Sequence, residues 1–375
     1  MHLEVLMAGN IFINGIKKTG FILENIVAGQ LKMHNWTVIS NKYYEDDFEG
    51  SVREIDLLAY KVATVQNIKV YTVILVSCKK NDANAWVLLS RKVDIKDPNV
   101  DWYPLHTWSN DYSICYESSK DEYSPSYYQF MQANDVKNIF NVPKTDVFAF
   151  QEMDIKSGAP KNDKNIFNSI TSLMKAQTYE IGALPSRKEY SCVYQFNLVS
   201  VIDSDLIRLD IDGDEINAVD IECEDYILRY ILNKKETFSR ILFVKASSFE
   251  NIIDEYDALH TSNCVWFDKK IEYFYSNVLE VREKRILLVE AFVKMLRWPL
   301  RSASYRAGVK LSDSDQINIG WGKSDSYPTV YLPVGDDDIS LFRDDNVLNV
   351  AVAKALESIY RYKGSFVLES DLIPF

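Results

Sequence analysis

Val-Arg-Glu-Ile-Asp-Leu-Leu-Ala-Tyr occupies residues 52–60, and Ile-Lys-Val-Tyr-Thr-Val-Ile-Leu-Val-Ser-Cys-Lys occupies residues 68–79. Both stretches are rich in the aliphatic, β-branched and aromatic side chains that are typical of buried strands. Gln66 and Asn67 lie between them and indicate a turn. The two stretches therefore predict two neighbouring strands of one sheet.

The segment upstream of these strands has helical spacing. Over residues 19–36 the apolar side chains of Ile22, Ile26 and Leu31 recur on one helical face. Residues 37–40 then predict a short strand. The order along the chain is helix, strand, strand, strand.

Charged side chains interrupt this apolar pattern at a few positions. Asp56 lies inside the first strand, Lys79 ends the second, and Glu24 lies in the middle of the helix. Side chains alternate along a strand, so Ser77 and Lys79 share one face. Carboxylates and a lysine at strand ends suit phosphodiester hydrolysis, because Mg²⁺ prefers oxygen ligands and a lysine can orient the attacking water.

The ordered set of Glu24, then Glu-Ile-Asp ending at Asp56, then an apolar run ending in Cys-Lys resembles the PD-(D/E)XK nuclease superfamily, which includes many restriction enzymes. The resemblance covers about residues 19–92 and implies an α/β, restriction-endonuclease-like core, a central mixed sheet flanked by helices. It implies that Asp56 and Glu24 bind Mg²⁺, with Mn²⁺ as a substitute, and that Lys79 is catalytic. Lys80 is expected to contact the substrate.

Ser77 departs from the motif of that superfamily. It occupies the place of the second metal-binding carboxylate, and a neutral hydroxyl is a weaker ligand than a carboxylate. In this interpretation Ser77 is a catalytic-site residue that contributes a hydroxyl or a bridging water. Glu24 is the leading replacement carboxylate, and three other candidates remain open: Asp82, Asp94 and Asp97.

The rest of the chain predicts further elements and a second domain. We expect a nuclease-like domain over residues 1–262 with an aromatic-rich insertion at about 100–160, and a C-terminal mixed α+β domain over 263–375 that contacts partners or nucleic acid. The tyrosines and tryptophans of the insertion could stack on unpaired bases. A satellite core or a partner interface is the favoured interpretation.

Composition narrows the class of protein. The chain has 375 residues, of which 47% are hydrophobic, and this fraction is ordinary for a globular protein. The net charge of −12 at first argues against a nucleic-acid ligand. The first 100 residues are nearly balanced, with 12 basic against 11 acidic side chains, so a local DNA-binding surface is compatible with the overall charge. No stretch is apolar enough to cross a bilayer, and five scattered cysteines fit a reducing cytoplasm.

Two functional hypotheses follow. The first is a Mg²⁺-dependent deoxyribonuclease in the cytoplasm, an effector of a bacterial restriction or phage-defence system with DNA and partner proteins as ligands and with a homo-oligomeric assembly. The second is a nuclease-fold subunit without catalytic activity that binds nucleic acid or acts as a protein scaffold. Because no phosphate-binding glycine loop is present, any ATP-driven step requires another protein.

Overall fold

The computed structural model describes residues 11–46, 50–134, 136, 138–311, 316–322 and 327–371. It divides into two compact units. The first comprises Met1–Asp111 and Lys120–Asp268, and the second comprises Tyr112–Ser119 and Lys269–Phe375. The division lies close to the predicted boundary near residue 262, but the short segment Tyr112–Ser119 groups with the C-terminal unit.

A central mixed sheet forms the middle of the first unit. Its strands are β1 (Thr37–Glu45), β2 (Val52–Val65), β3 (Ile68–Lys80), β5 (His106–Ser109), β7 (Cys192–Asp203), β10 (Cys223–Leu232) and β11 (Lys235–Lys245). They follow the order β1-β2-β3-β7-β11-β10, and β5 pairs with β7. The β1-β2-β3 meander is antiparallel, whereas β7 is parallel to both β3 and β11.

Helices cover both faces of this sheet. They are α1 (Phe21–Met33), α4 (Lys164–Arg187) and α5 (Phe249–Tyr275), the last of which runs on beyond the first unit. Val73 of β3 shares a core cluster with Leu173 of α4, while the neighbouring Thr72 accepts or donates a 3.0 Å hydrogen bond with His260 of α5. Successive strand residues point to opposite faces, so α4 and α5 lie on opposite sides.

Helix α1 lies on the same side as α5. Trp36, which follows α1, donates a 2.7 Å hydrogen bond from Nε1 to Asp257 of α5. The buried side chains of α1 are Leu23, Val27, Ala28 and Leu31. The expected mixed α/β architecture with a central mixed sheet flanked by helices is confirmed.

A second, four-stranded sheet accompanies the central one. It consists of β4 (Asn84–Lys92), β6 (Thr145–Asp154), β8 (Leu206–Asp212) and β9 (Glu215–Asp220), in the order β6-β4-β8-β9. The aromatic-rich insertion therefore contributes a strand to this sheet as well as the helices α2 (Tyr112–Ser118) and α3 (Tyr123–Ala133).

The aromatic side chains of α3 form a packed cluster. Tyr127 and Tyr128 are fully buried, and both rings contact Phe140 edge-on, with centroids 5.3 and 5.0 Å away. Trp266 lies 5.6 Å from Tyr127 in the same edge-to-face arrangement. The favoured interpretation of these tyrosines as a satellite core agrees with this packing.

The second unit combines helices with a small sheet. Its elements are α2, α6 (Arg282–Leu287), α7 (Val289–Ala307), β12 (Asn318–Trp321), β13 (Pro328–Leu332), α8 (Ile339–Arg343), α9 (Asn346–Tyr360) and β14 (Val367–Ser370). The strands follow the order β12-β13-β14. Phe292 and Leu296 of α7 pack with Leu356 of α9 in its core. This is the mixed α+β region that the sequence predicts for the C-terminal part.

Candidate functional site

Asp56 lies where the β2–β3 ladder ends. The strands pair in register from Val65 opposite Ile68 to Leu57 opposite Val76. Beyond Leu57, Oδ2 of Asp56 accepts a 2.6 Å hydrogen bond from the backbone N–H of Cys78. The carboxylate is therefore fixed against the end of β3 by a backbone donor that does not depend on a side-chain rotamer.

Lys79 approaches the same carboxylate. Its Nζ lies 3.6 Å from Oδ2 of Asp56, and both side chains are partly exposed, at 27% and 21%. The ion pair remains accessible to a ligand from solvent. The structure thus brings together the acid and the base that the sequence places on neighbouring strands.

Glu24 faces these two residues from α1. A Cβ built on Gly20, at the start of α1, would lie 3.4 Å from Oε1 of Glu24 and 4.0 Å from the carbonyl oxygen of Cys78, so Glu24 folds back toward the end of β3. Burial and the negative charge of Asp56 raise the pKa of Glu24, and the Lys79 ammonium offsets part of this rise.

Cys78 is not a reactive group in this arrangement. Burial raises the pKa of its thiol well above the ordinary value, and the charges of Asp56 and Glu24 raise it further. A thiol that keeps its proton is neither a nucleophile nor a good metal ligand. The oxygens of Asp56 and Glu24 are the anionic ligands that the site offers.

Ser77 lies beneath α4 and not in the open part of the site. It is only 1% exposed and pairs in register with Ser200 of β7, whose Oγ lies 2.8 Å from the Oγ of Ser169 in α4. Within the described part of the chain, the Ser77 hydroxyl has no hydrogen-bond partner. This burial favours a packing role, and its expected catalytic contribution stays a prediction.

Lys80 has its ammonium group engaged by two carboxylates. Nζ lies 2.8 Å from Oδ2 of Asp203 and 2.9 Å from Oδ1 of Asp82, and hydrogen bonds to these two residues raise the pKa of Lys80. A substrate phosphate would have to compete with both carboxylates. The expected substrate contact of Lys80 stays a prediction.

Asp94 and Asp97 stabilise a turn after β4. Oδ1 of Asp94 accepts the backbone N–H of Lys96, and Oδ1 of Asp97 accepts that of Asn99. The hydrogen bonds from Asn99 hold the pKa of Asp97 below its ordinary value. Of the replacement carboxylates considered, Glu24 is the one that the structure brings into electrostatic contact with Asp56.

A second acidic group, between α1 and α5, escaped the sequence reasoning. His34, Asp254 and Asp257 place one potential ligand atom each within 4.8 Å of one another. The two aspartates are three residues apart on α5, but nothing in the sequence links them to His34. Lys61 Nζ lies 2.6 Å from Oδ1 of Asp257, so an ammonium group already supplies a cation, and we interpret the group as an ion-pair network.

Comparison of the chain with family models, curated proteins and solved structures gives no match. The function must therefore be argued from the geometry of the site. Across the described residues, no helix combines the length and the apolar character needed to span a membrane.

Replacing Glu24 by Gln tests the electrostatics of the site. Because the pKa of Glu24 is raised in the folded state, ionisation of Glu24 lowers the free energy of unfolding at pH values above that pKa. Below the ordinary pKa of 4.5, Glu24 is protonated in both the folded and the unfolded state, so this loss disappears. We expect Glu24→Gln to unfold at higher urea concentration than the wild type at about pH 7.5, with the difference disappearing near pH 4. Glu189→Gln, at an exposed position, is the control. A Glu24→Gln difference that is independent of pH would contradict this electrostatic interpretation.

Replacing Ser77 by Ala tests the assignment of its hydroxyl. Removing a buried hydroxyl without a partner costs no hydrogen bond, so we expect the free energy of unfolding to stay within about 1 kcal/mol of the wild type or to rise. Ser200→Ala is the matched control, because it removes a partner of Ser169 and should cost roughly 1–3 kcal/mol. Chemical denaturation measures both, and a larger loss in Ser77→Ala than in Ser200→Ala would overturn the packing role.

Proposed function

We propose that this protein is a metal-dependent deoxyribonuclease that resembles the PD-(D/E)XK superfamily. The observation that carries the proposal is the convergence of Asp56, Lys79 and Glu24 at the end of β2 and β3. The helix-strand-strand-strand order of α1, β1, β2 and β3 in a mixed sheet supports it. A restriction-endonuclease-like core is the finer fold assignment that this order favours.

The donor set suits Mg²⁺ or Mn²⁺. Both described contacts of the Asp56 carboxylate use Oδ2, which leaves Oδ1 to face a cation. Burial, and after it the negative charge of Asp56, raises the pKa of Glu24, and the Lys79 ammonium offsets only part of that rise. A divalent cation between Asp56 and Glu24 would neutralise both, and hard oxygen ligands are those it prefers.

Asp56, Glu24 and Lys79 would each have a separate role in hydrolysis. A bound Mg²⁺ supplies Lewis-acid activation of the scissile phosphate. Asp56 and Glu24 hold the cation, with Asp56 oriented by the N–H of Cys78. Lys79 orients the attacking water and offsets negative charge that develops on the phosphate, because its ammonium lies beside Asp56 and is partly exposed. The wider setting, a cytoplasmic homo-oligomer acting with partner proteins in phage defence, is part of the proposal through the resemblance alone.

The second candidate function is a nuclease fold that has lost its chemistry and serves as a scaffold. The observation that favours it is Ser77, which places a buried hydroxyl where the motif has a carboxylate. The two candidates differ in whether Asp56 and Glu24 bind a divalent cation and in whether DNA is cut.

A cleavage assay tests the first candidate. We expect the wild type to cut plasmid or linear DNA with Mg²⁺ or Mn²⁺, and Asp56→Asn and Lys79→Met each to lower the rate by at least about 100-fold, since both remove a group that acts on the reacting phosphate or water. Lys92→Gln, an exposed lysine at the end of β4, should cut like the wild type. DNA left intact under all conditions, or cleavage that persists in Asp56→Asn, would sink the nuclease proposal.

A metal titration separates the two candidates. A cation that binds only the folded state stabilises it, by about 2.7 kcal/mol when the free concentration is 100 times the dissociation constant. We expect Mn²⁺ to raise the melting temperature of the wild type and of Lys92→Gln, but not of Asp56→Asn. An equal rise in all three proteins places the cation elsewhere and favours the scaffold.

A further inference from the structure

A pocket of about 270 Å³ lies at the opposite end of β3 from Lys79. The side chains that argue for a ligand are Tyr60 and Tyr71 on the wall, and Lys42, Arg187, Lys188 and Glu180 around it. Small-molecule sites typically enclose roughly 300–1,000 Å³, so the pocket is at the lower end of that range. A small ligand that combines an aromatic ring with an anionic group matches the size and the lining of this pocket.

One wall of the pocket is aromatic. The rings of Tyr71 and Tyr194 stack with their centroids 4.1 Å apart and their planes at 6°, and Tyr60 lies 6.0 Å from Tyr71. Phe196 continues the wall beyond Tyr194 at 6.1 Å. Because Tyr71 and Tyr194 cover each other's facing surfaces, a nucleobase would stack on an outer face of this pair or on Tyr60.

The other wall carries an excess of positive charge. Lys42 and Arg187 both contact Oε2 of Glu180, at 2.8 and 3.2 Å, and their two charges exceed its single negative charge. Lys188 adds a third cation, with its Nζ 5.3 Å from the Tyr71 ring centroid and 5.4 Å from that of Tyr194. Three cations against one anion leave a site for an anionic group directly beside the aromatic wall.

Tyr190 lies next to Lys188, whose Nζ donates a 3.2 Å hydrogen bond to the Tyr190 hydroxyl. The hydroxyl of Tyr71 lowers the pKa of Tyr190 through a 2.8 Å hydrogen bond, and the ammonium groups of Lys188 and Lys69 lower it further. The ammonium group of Lys188 would also favour an anion placed beside it.

We propose that this pocket binds a nucleoside monophosphate, with the base against Tyr60, Tyr71 and Tyr194 and the phosphate between Arg187 and Lys188. Arginine suits this position because its planar guanidinium donates two parallel hydrogen bonds to phosphate oxygens. The proposal does not rest on the nuclease function, because none of the residues involved belongs to the group of Asp56, Lys79 and Glu24.

Calorimetric titration of the full chain with AMP, GMP, CMP and UMP tests the pocket. The buffer contains EDTA, which keeps divalent cations away from Asp56. The result of the titration therefore does not depend on whether the site at Asp56 binds a metal. We expect saturable binding of at least one nucleotide, with adenosine and inorganic phosphate each binding at least about tenfold more weakly than AMP, since each lacks one half of the ligand. Absence of saturation by all four nucleotides up to about 10 mM would overturn the proposal.

Two single variants locate the binding. Arg187→Gln and Lys188→Gln should each weaken nucleotide binding at least about fivefold, because each removes a charge-assisted contact with the phosphate. Lys164→Gln, an exposed lysine at the start of the same helix, should bind like the wild type. Circular dichroism confirms that the variants fold, and Arg187 is 40% exposed, so its replacement leaves the core intact. Unchanged affinity in both variants would place the nucleotide elsewhere and refute the assignment.

A pentanucleotide distinguishes a site for a free nucleotide from a site for single-stranded nucleic acid. A free nucleotide and the end of a single strand share the same base and phosphate chemistry. A pocket for a free nucleotide should bind AMP at least as tightly as a pentanucleotide does in EDTA. A pentanucleotide that binds more than about tenfold tighter than AMP would overturn the assignment to a free nucleotide.

Discussion

The burial of β3 on both faces is the constraint on which the rest of the structure depends. From Val70 to Cys78 every residue of this strand is buried, because α4 covers one face and α5 with α1 covers the other. A charged side chain inside such a strand would lose its hydration without compensation. Charged chemistry is therefore confined to the strand ends, where Lys79 reaches solvent on one side and the lysines around Tyr71 do so on the other. Even Ser77, only two residues from Lys79, is already under α4.

The local sequence pattern predicted many of the helices and strands, but it did not predict which distant segments pair in the sheets. The apolar runs at 52–60 and 68–79 predicted β2 and β3, although β2 extends to Val65. The parallel partner of β3 is β7, more than a hundred residues away, and nothing in either strand encodes that pairing. The position of Ser77 depends on it, because its neighbour Ser200 and the helix above belong to this distant part of the chain. Alternation predicts that Ser77 and Lys79 share one face but does not show where α4 ends. Glu24 could be proposed from its place in a helix, whereas its approach to Asp56 depends on how α1 packs against the end of β3.

Two prolines lie inside helices, although proline is a local signal for a helix end. Pro185 lies in α4 and Pro299 in α7. A proline removes one backbone donor and crowds the preceding turn, but apolar packing on the same helix can outweigh that cost. Leu184 beside Pro185 and Leu296 and Leu300 around Pro299 are buried, so tertiary burial extends each helix past the local stop signal. Lys284 also shows the effect of tertiary packing: although charged, it is only 2% exposed and donates to the carbonyl oxygens of Tyr273 and Phe274.

The two ends of β3 differ in charge in a way that separates the two proposed ligands. At the Lys79 end, the carboxylates of Asp56 and Glu24 lie near one ammonium group, and burial followed by the charge of Asp56 raises the pKa of Glu24. At the Tyr71 end, three cations and one carboxylate line the pocket. Eight residues at about 3.3 Å each separate Tyr71 from Lys79, roughly 26 Å along the strand. Leu58, which also lines the pocket, is only two residues from Asp56 in β2, so charge and not distance separates the two ligands: phosphate anions favour the cationic end, and divalent cations favour the acidic one. In the two proposals the acidic end of β3 would bind a divalent cation and the cationic end would bind an anion, so the two sites on this sheet would not compete for a common ligand.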